Sequence, residues 1–331
     1  MVHRERYSNP FAPLELSEED VQQLQRVASL FVLNTVAQYE QHLLRDARVI
    51  DEQVWKQEAH KEDVHVYAER RSYAAKKNAS APFTTDIPTL LGVGTIDGTL
   101  NDAMYGAVNP SVESLRIKTS YVEDYVVDAA VLATLWFEKG QPLHIRMLVK
   151  NRDMVFLEST GLATLANGER IGYQLLHSVH FPQTPPLDTA IRGNMSICAL
   201  YRQHDSSSVD VFVKAYLSPA EGILRAAVVK SGADGLASAW LYVHCARMKK
   251  LAWHVHRGMR SGKSLTRGVK SLSGESLSLT ESHCVTCRKT PSRNPLSSTS
   301  TSHIRTCSVC IQYTCSGCTL KKKLSYIASD G

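Results

Sequence analysis

The sequence predicts an α+β fold in which a curved antiparallel sheet grips a long C-terminal helix, followed by a small cysteine-bearing module. Three observations predict it. Apolar residues recur at helical spacing near both ends of the first 256 residues. Between those ends, eight segments alternate or run apolar in the manner of strands. Six of the eight cysteines crowd into residues 284–318 as three C-x-x-C pairs.

The first helix is expected over about 18–45. Ser17 followed by Asp20 resembles a capping box, and Val21, Leu24, Ala28 and Phe31 then follow at helical spacing. Strands are expected at 64–67, 90–96, 125–136, 143–149, 154–160, 170–180, 191–201 and 209–217. In the last of these, Val209, Val211, Val213, Ala215 and Leu217 alternate with Asp210, Phe212, Lys214 and Tyr216, which predicts one buried and one mixed face. Ala166-Asn167-Gly168 and the run from Pro182 to Pro186 supply turns, so antiparallel neighbours are the economical arrangement. Short helices fit around 99–106 and 219–229. After Gly235 the period becomes helical, with Leu241, Cys245, Met248, Ala252 and Val255 on one stripe, predicting a helix over 236–256 about 31 Å long. Trp240 and Trp253 on this helix are expected to lie in the core.

Charge is unevenly spread. Residues 257–331 carry 12 Lys and Arg against 3 Asp and Glu, leaving the first 256 residues near neutral. A tail of net +9 suits an anionic membrane surface or nucleic acid, with the membrane favoured; a solvated linker accounts for it equally well. Seven serines between 261 and 282 mark a linker. The expected division is an extension at 1–17, a large domain at 18–256, a Ser-rich and basic linker at 257–282, a finger at 283–320 and a basic tail at 321–331. The N-terminal segment lacks an apolar h-region and no run of 18 apolar residues occurs, so a cytoplasmic chain is expected, with the tail as a candidate for peripheral membrane contact. Cysteine pairs in a reducing compartment point to metal rather than disulfides.

Several segments carry a family resemblance. Asn151-Arg152-Asp153-Met154-Val155-Phe156-Leu157-Glu158 resembles a strand of the steroidogenic-acute-regulatory-protein-related lipid transfer (START) family. Gly172 to Val179 resembles the strand that follows it, and Ile191-Arg192-Gly193 the opening of the next. The stretch from Trp55 to Glu69 is similar to the family's early strand, and Gly94 to Leu100 to its entry into a short helix. The correspondence spans roughly residues 18–256 in order. It implies a helix-grip fold with an internal cavity for one lipid or sterol-like ligand. Met147, Val155, Tyr173, Leu175, Ile197 and Val211 are the expected cavity wall, although alternation alone does not say which face looks inward. Arg152 and Arg192 are candidate ligand contacts; for the polar pair Arg152 and Asp153, either one of them orients a ligand headgroup or hydroxyl or the pair makes a salt bridge or turn contact at a strand entrance. His177 and His180 are expected to be structural.

Cys284-x-x-Cys287, Cys307-x-x-Cys310 and Cys315-x-x-Cys318 are each a natural half of a tetrahedral zinc site, because two intervening residues let both thiolates reach one ion. Two pairings are open. A zinc ribbon would use Cys284, Cys287, Cys307 and Cys310. The order of the pairs, however, resembles the first three pairs of a FYVE finger, whose cross-bracing implies that Cys284, Cys287, Cys315 and Cys318 share an ion. Cys307 and Cys310 then lack a fourth pair, since Thr319–Gly331 holds no Cys or His, unless His283 or His303 substitutes.

Nucleotide motifs are near misses. Gly258-Met259-Arg260-Ser261-Gly262-Lys263-Ser264 has three residues between its glycines where a P-loop has four, and it follows a helix. No G-x-S-x-G or H-E-x-x-H occurs. The reading is thus a non-enzymatic lipid-binding protein, with a protein-interaction adaptor or a helix-grip enzyme acting on a hydrophobic substrate as alternatives.

Overall fold

The computed structural model describes residues 9–77, 87–122, 128–136, 142–149, 152–218, 224–260, 283–290, 307, 309–310 and 312–326. The chain divides into two compact units, Met1–Ala246 and Arg247–Gly331. The division falls within a helix, ten residues before the compositional break at 257.

The first unit opens with α1 (Glu18–Leu44), which starts where the sequence says it should. The Ser17 hydroxyl accepts from the Asp20 amide and the Asp20 carboxylate accepts from the Ser17 amide, a reciprocal capping box. Leu24, Ala28, Val32, Thr35, Tyr39 and His42 form its buried stripe. A hairpin follows, β1 (Trp55–Lys61) and β2 (Val64–Glu69), then α2 (Arg71–Lys77), β3 (Thr89–Asp97), α3 (Leu100–Ala107) and α4 (Val112–Thr119). The meander continues with β4 (Asp128–Trp136), β5 (Pro142–Val149), β6 (Arg152–Thr164), β7 (Arg170–Ser178), the two-residue β8 (Ile191–Arg192), β9 (Asn194–Gln203) and β10 (Ser208–Ser218). Helix α5 (Arg225–Ala237), a 3₁₀ turn (Ser238–Leu241) and α6 (Tyr242–Arg260) complete the order.

One sheet holds all ten strands in the order β1-β2-β3-β10-β9-β7-β6-β5-β4, antiparallel at every step, with β8 added parallel to β6. The predicted α+β class and the antiparallel meander are present. Ala166-Asn167-Gly168 turns β6 into β7, with Gly168 at φ 86° and the Leu165 amide donating to the Glu169 carbonyl.

Both faces of the sheet are covered, which alternation in β10 did not foretell. Val209, Val211, Val213 and Ala215 pack with α3, α5 and Val243 of α6. The supposedly mixed face is buried too: Phe212 lies beneath α1 with Val155, Leu157, Leu175 and Leu200. Beside it, Asp210 accepts from the Tyr39 hydroxyl and takes both guanidinium nitrogens of Arg48 at 2.9 Å. Burial and the Asp210 charge hold the Tyr39 phenol above its ordinary range.

The helix expected over 236–256 is two helices joined by a 3₁₀ turn. Helical pattern begins at Arg225, ahead of Gly235, so the short helix expected at 219–229 is in fact α5; 219–223 lie outside the described residues. On the expected stripe, Leu241 and Cys245 are buried. The core placement of Trp253 is corrected, since it is 53% exposed and stacks its ring under the Arg257 guanidinium at 5.1 Å. It stands about 100° round the helix from Ala252, off the apolar stripe.

Close approach of backbones fixes where α3 and α6 sit. A Cβ on Gly106 would lie 1.9 Å from the Tyr242 carbonyl oxygen, whereas one on Gly235 in α5 would meet nothing within 4 Å. Gly106→Ala should therefore cost about 2–3 kcal/mol by overpacking, while Gly235→Ala should gain about 0.5–1 kcal/mol by restricting the unfolded chain. Urea denaturation of the two variants checks this, and equal effects at the two sites would contradict the packing described.

Candidate ligand face and candidate metal centre

Three neighbouring strands aim polar side chains at the face opposite α1. Arg146 of β5, Glu158 of β6 and Gln174 of β7 occupy diagonal positions on that face. The Arg146 guanidinium pairs with the Glu158 carboxylate and donates to the Asn109 carbonyl. Gln174 Nε2 donates to Glu158 Oε1 at 2.9 Å and lies 3.4 Å from the Ala107 carbonyl, to which Asn109 Nδ2 also donates at 2.7 Å. All four side chains are buried, Arg146 at 2% exposure. The segment between α3 and α4 thus closes over a desolvated ion pair. Phe156 is buried on the same face, one step along β6, and Leu176, Ile197 and Ala215 extend a row across β7, β9 and β10 from Glu158. A charged pair set in an apolar surface is a natural anchor for the polar end of an otherwise apolar ligand.

The residues expected to wall one cavity fall on both faces. Ile197 and Val211 lie on the polar-network side. Val155, Tyr173 and Leu175 belong to the core beneath α1, and Met147 stands in register with Val155. One contiguous wall cannot include both sets, because a sheet's two faces look in opposite directions.

Arg192 meets Asp153. Its guanidinium bonds Asp153 Oδ2 at 2.6–2.7 Å and donates to the Thr184 and Pro185 carbonyls, while the Gly193 amide donates to the Asp153 carbonyl. This is the strand-entrance salt bridge, and it ties down the turn before β8. The Arg152 side chain lies outside the described residues. His177 packs on Phe31 at 4.2 Å between ring centroids, and burial lowers its pKa, in keeping with a structural role. Arg146, Glu158, Gln174 and Asn109 went unseen as a group in the sequence. The available signal was a charge inside each of two strands, at Arg146 between Ile145 and Met147 and at Glu158 two positions beyond Phe156.

In the second unit, Cys284, Cys287, Cys315 and Cys318 converge with all four sulfurs within 4.8 Å of one another. The pairing is first with third, so the ribbon set is not assembled. Cys287 Sγ and Cys315 Sγ are 3.6 Å apart, against about 3.8 Å for thiolates tetrahedrally bound at about 2.3 Å. The loop is local: the Cys284 amide donates to the Lys289 carbonyl, Arg288 returns its amide to Cys284 at φ 63°, and the Val285 amide reaches the Tyr313 carbonyl. Amides of Cys315 and Cys287 directed at the buried Cys284 sulfur bring its pKa down to about 6. Cys318, donating to Cys287 and Cys315, is pushed up to about 12. Four such sulfurs fit a soft divalent cation, whose charge offsets thiolates that otherwise repel.

Cys307 begins a loop of the same form, its amide donating to the Gln312 carbonyl five residues on. Among the described residues, Cys307 and Cys310 join no such cluster; His303 lies outside them.

No family model matches the chain, and no curated protein matches it. Solved structures resemble its course. Human StAR-related lipid transfer protein 5 is 18% identical, covers 67% of this chain and 99% of its own, and has a TM-score of 0.43. The lipid transfer and protein localization domain of human StarD13 is 12% identical, covering 70% and 98%, with a TM-score of 0.42. A STAR-related lipid transfer protein from Xanthomonas axonopodis is 14% identical, covering 59% and 99%, also at 0.42. Lipid transfer in those names describes those proteins. Within this chain, no helix among the described residues is long and apolar enough to cross a membrane.

Loss of one partner in a desolvated pair strands the other. Glu158→Gln should destabilise the protein by about 3–5 kcal/mol, whereas Arg146→Met combined with Glu158→Leu should cost less than half as much. Chemical denaturation of the single and double variants distinguishes a closed pair from a solvated one, for which both would be nearly neutral.

Proposed function

We propose that the first unit binds one molecule of a hydrophobic ligand, a lipid or a sterol-like compound, on the sheet face opposite α1. The observation that carries the proposal is the buried Arg146–Glu158–Gln174 network set beside Phe156 and Ile197 on that face. In this reading the network holds a hydroxyl or headgroup and the half-buried Ile197 contacts the apolar remainder, whereas Val211 is already covered by α3 and α6. Each methylene withdrawn from water contributes about 0.8 kcal/mol, so a long acyl chain supplies affinity while the polar group supplies orientation. The segments around Arg152, Tyr173 and Arg192 that resemble START sequences support the same reading. Binding of this kind needs no group that makes or breaks bonds.

Full-length protein incubated with a broad membrane-lipid extract and examined by native mass spectrometry should carry one lipid per chain. Failure to retain any lipid, in a protein shown to be folded, would sink the proposal.

We further infer that the second unit holds zinc through Cys284, Cys287, Cys315 and Cys318, and that exposed Lys321, Lys322 and Lys323 add attraction for an anionic membrane surface, about 1 kcal/mol per cation. Elemental analysis of purified full chain should give about one zinc per chain, lost in Cys284→Ser and Cys315→Ser and kept in Cys307→Ser. Zinc lost in Cys307→Ser but retained in Cys315→Ser would assign the ribbon instead.

A further inference from the structure

Cys307 and Cys310 stand outside the four-sulfur cluster, yet their loop is built as the cluster's first loop is. The Cys307 amide donates to the carbonyl five residues on, at Gln312, as the Cys284 amide does to Lys289. The amides two and three residues beyond each leading sulfur turn back on it, Thr286 and Cys287 on Cys284, Val309 and Cys310 on Cys307. In both loops the second thiol also donates to the first. A loop of this form presents two sulfurs to one ion, and amides aimed at a sulfur favour the thiolate that binds metal. Cys310 is exposed and Cys307 partly so, which leaves the pair open to a ligand from outside.

The chain cannot complete this half-site from its own side chains. A structural zinc ion takes four donors in a tetrahedron. Cys198 and Cys245 are buried in the first unit, and the other four cysteines already converge on one another. Residues 283–326 contain no Asp or Glu, and their histidines are His283 and His303. Among the described residues His283 does not gather with Cys307 and Cys310, so this segment offers at most His303 as a third donor.

We propose that Cys307 and Cys310 are half of an intermolecular metal site, closed around one zinc ion by the same two residues of a second copy. A two-fold contact presents the same patch from both partners. An ion on that axis therefore receives two thiolates from each chain, and its four-sulfur shell is complete. Charge favours the sharing. A divalent cation with four thiolates is a net dianion, and it would join two segments that each carry seven Lys and Arg and no Asp or Glu over residues 283–326. Bringing two chains together opposes binding by its entropy. The shared ion is consequently held more loosely than an ion in the enclosed cluster, and purification removes it first. The inference relies on zinc in the first cluster only for a folded module.

Full-length protein carrying its first ion, with its thiols kept reduced, is titrated with zinc(II) and followed by sedimentation velocity at about 100 µM chain. Uptake of about half an equivalent per chain beyond the first should convert monomer to dimer. A mild chelator should reverse both and leave the first ion in place. Cys307→Ser and Cys310→Ser should each abolish the added uptake and the dimer while keeping the first ion, which shows that the module still folds. His303→Ala should change neither. A further whole equivalent bound by a monomer overturns the proposal, as does loss of the added ion in His303→Ala, a dimer indifferent to Cys307→Ser, or a reduced protein that takes up no added zinc. Protein isolated without the first ion would count against the four-cysteine site instead, since the mark of the shared site is a zinc-induced dimer that depends on Cys307.

Discussion

Burial of both faces of one antiparallel sheet is the constraint on which the remaining architecture depends. Side chains of a strand alternate between faces, so a central strand contributes to two cores at once. In β10, Val211 packs toward the C-terminal helices while its neighbours Asp210 and Phe212 lie beneath α1. A slip of one residue would send each side chain to the wrong core, and the register is correspondingly rigid. The same geometry demands that helices approach closely from both sides. Gly106, whose missing side chain makes room for the Tyr242 carbonyl, is where that demand reaches the sequence.

A sheet covered on both faces has no solvent to satisfy its polar side chains, so these must find each other. Two of the networks among the described residues differ in kind. Under α1, Asp210 holds Tyr39 and Arg48, and Arg202 links Tyr39 to Glu169, so the cluster runs out to solvent and fastens the end of the helix. On the opposite face Arg146, Glu158, Gln174 and Asn109 form a closed group. A closed ion pair contributes little stability relative to apolar residues of the same size. What it does hold is the segment between α3 and α4, through the Asn109 and Ala107 carbonyls.

Legibility in the sequence followed the range of the forces involved. The start of α1 could be read because a capping box is local, spanning Ser17 to Asp20. Strand positions could be read because alternation is local as well. Which face was which could not, and the supposed cavity wall split accordingly, Ile197 and Val211 going one way and Val155 and Leu175 the other. The alternation of β10 also concealed that its mixed side is buried, since Asp210 and Lys214 look solvent-facing until Arg48 and α1 are in place. Beyond the sheet, an unbroken helix over 236–256 was the natural reading of a 3.6-residue period. The period itself does not report the 3₁₀ turn at Ser238–Leu241, where the hydrogen-bond pattern changes while Leu241 and Cys245 keep their apolar spacing. Among the cysteines, spacing marked the half-sites, but only the convergence of Cys315 and Cys318 on Cys284 and Cys287 separated a first-with-third pairing from a ribbon.

The two units are held by different physics. In the first, α1 and α5 bury apolar stripes on opposite sides of one sheet, and its cysteines are buried too, Cys198 beneath α1 and Cys245 against Val122 and Leu241. Around the cysteines of the second, among the described residues, Val285, Val309, Leu320 and Tyr326 are exposed while Cys284 is wholly enclosed. Where a sulfur takes the place a leucine would have in a larger core, the enclosing loops must be stabilised by whatever that sulfur binds, because a module this small cannot offset its chain entropy by hydrophobic burial alone. The amides gathered on Cys284 lower the cost of its thiolate before any cation arrives. With the metal proposed above bound there, folding of the module and occupation of the sulfur cluster would be one equilibrium, whereas the sheet unit rests on apolar contacts.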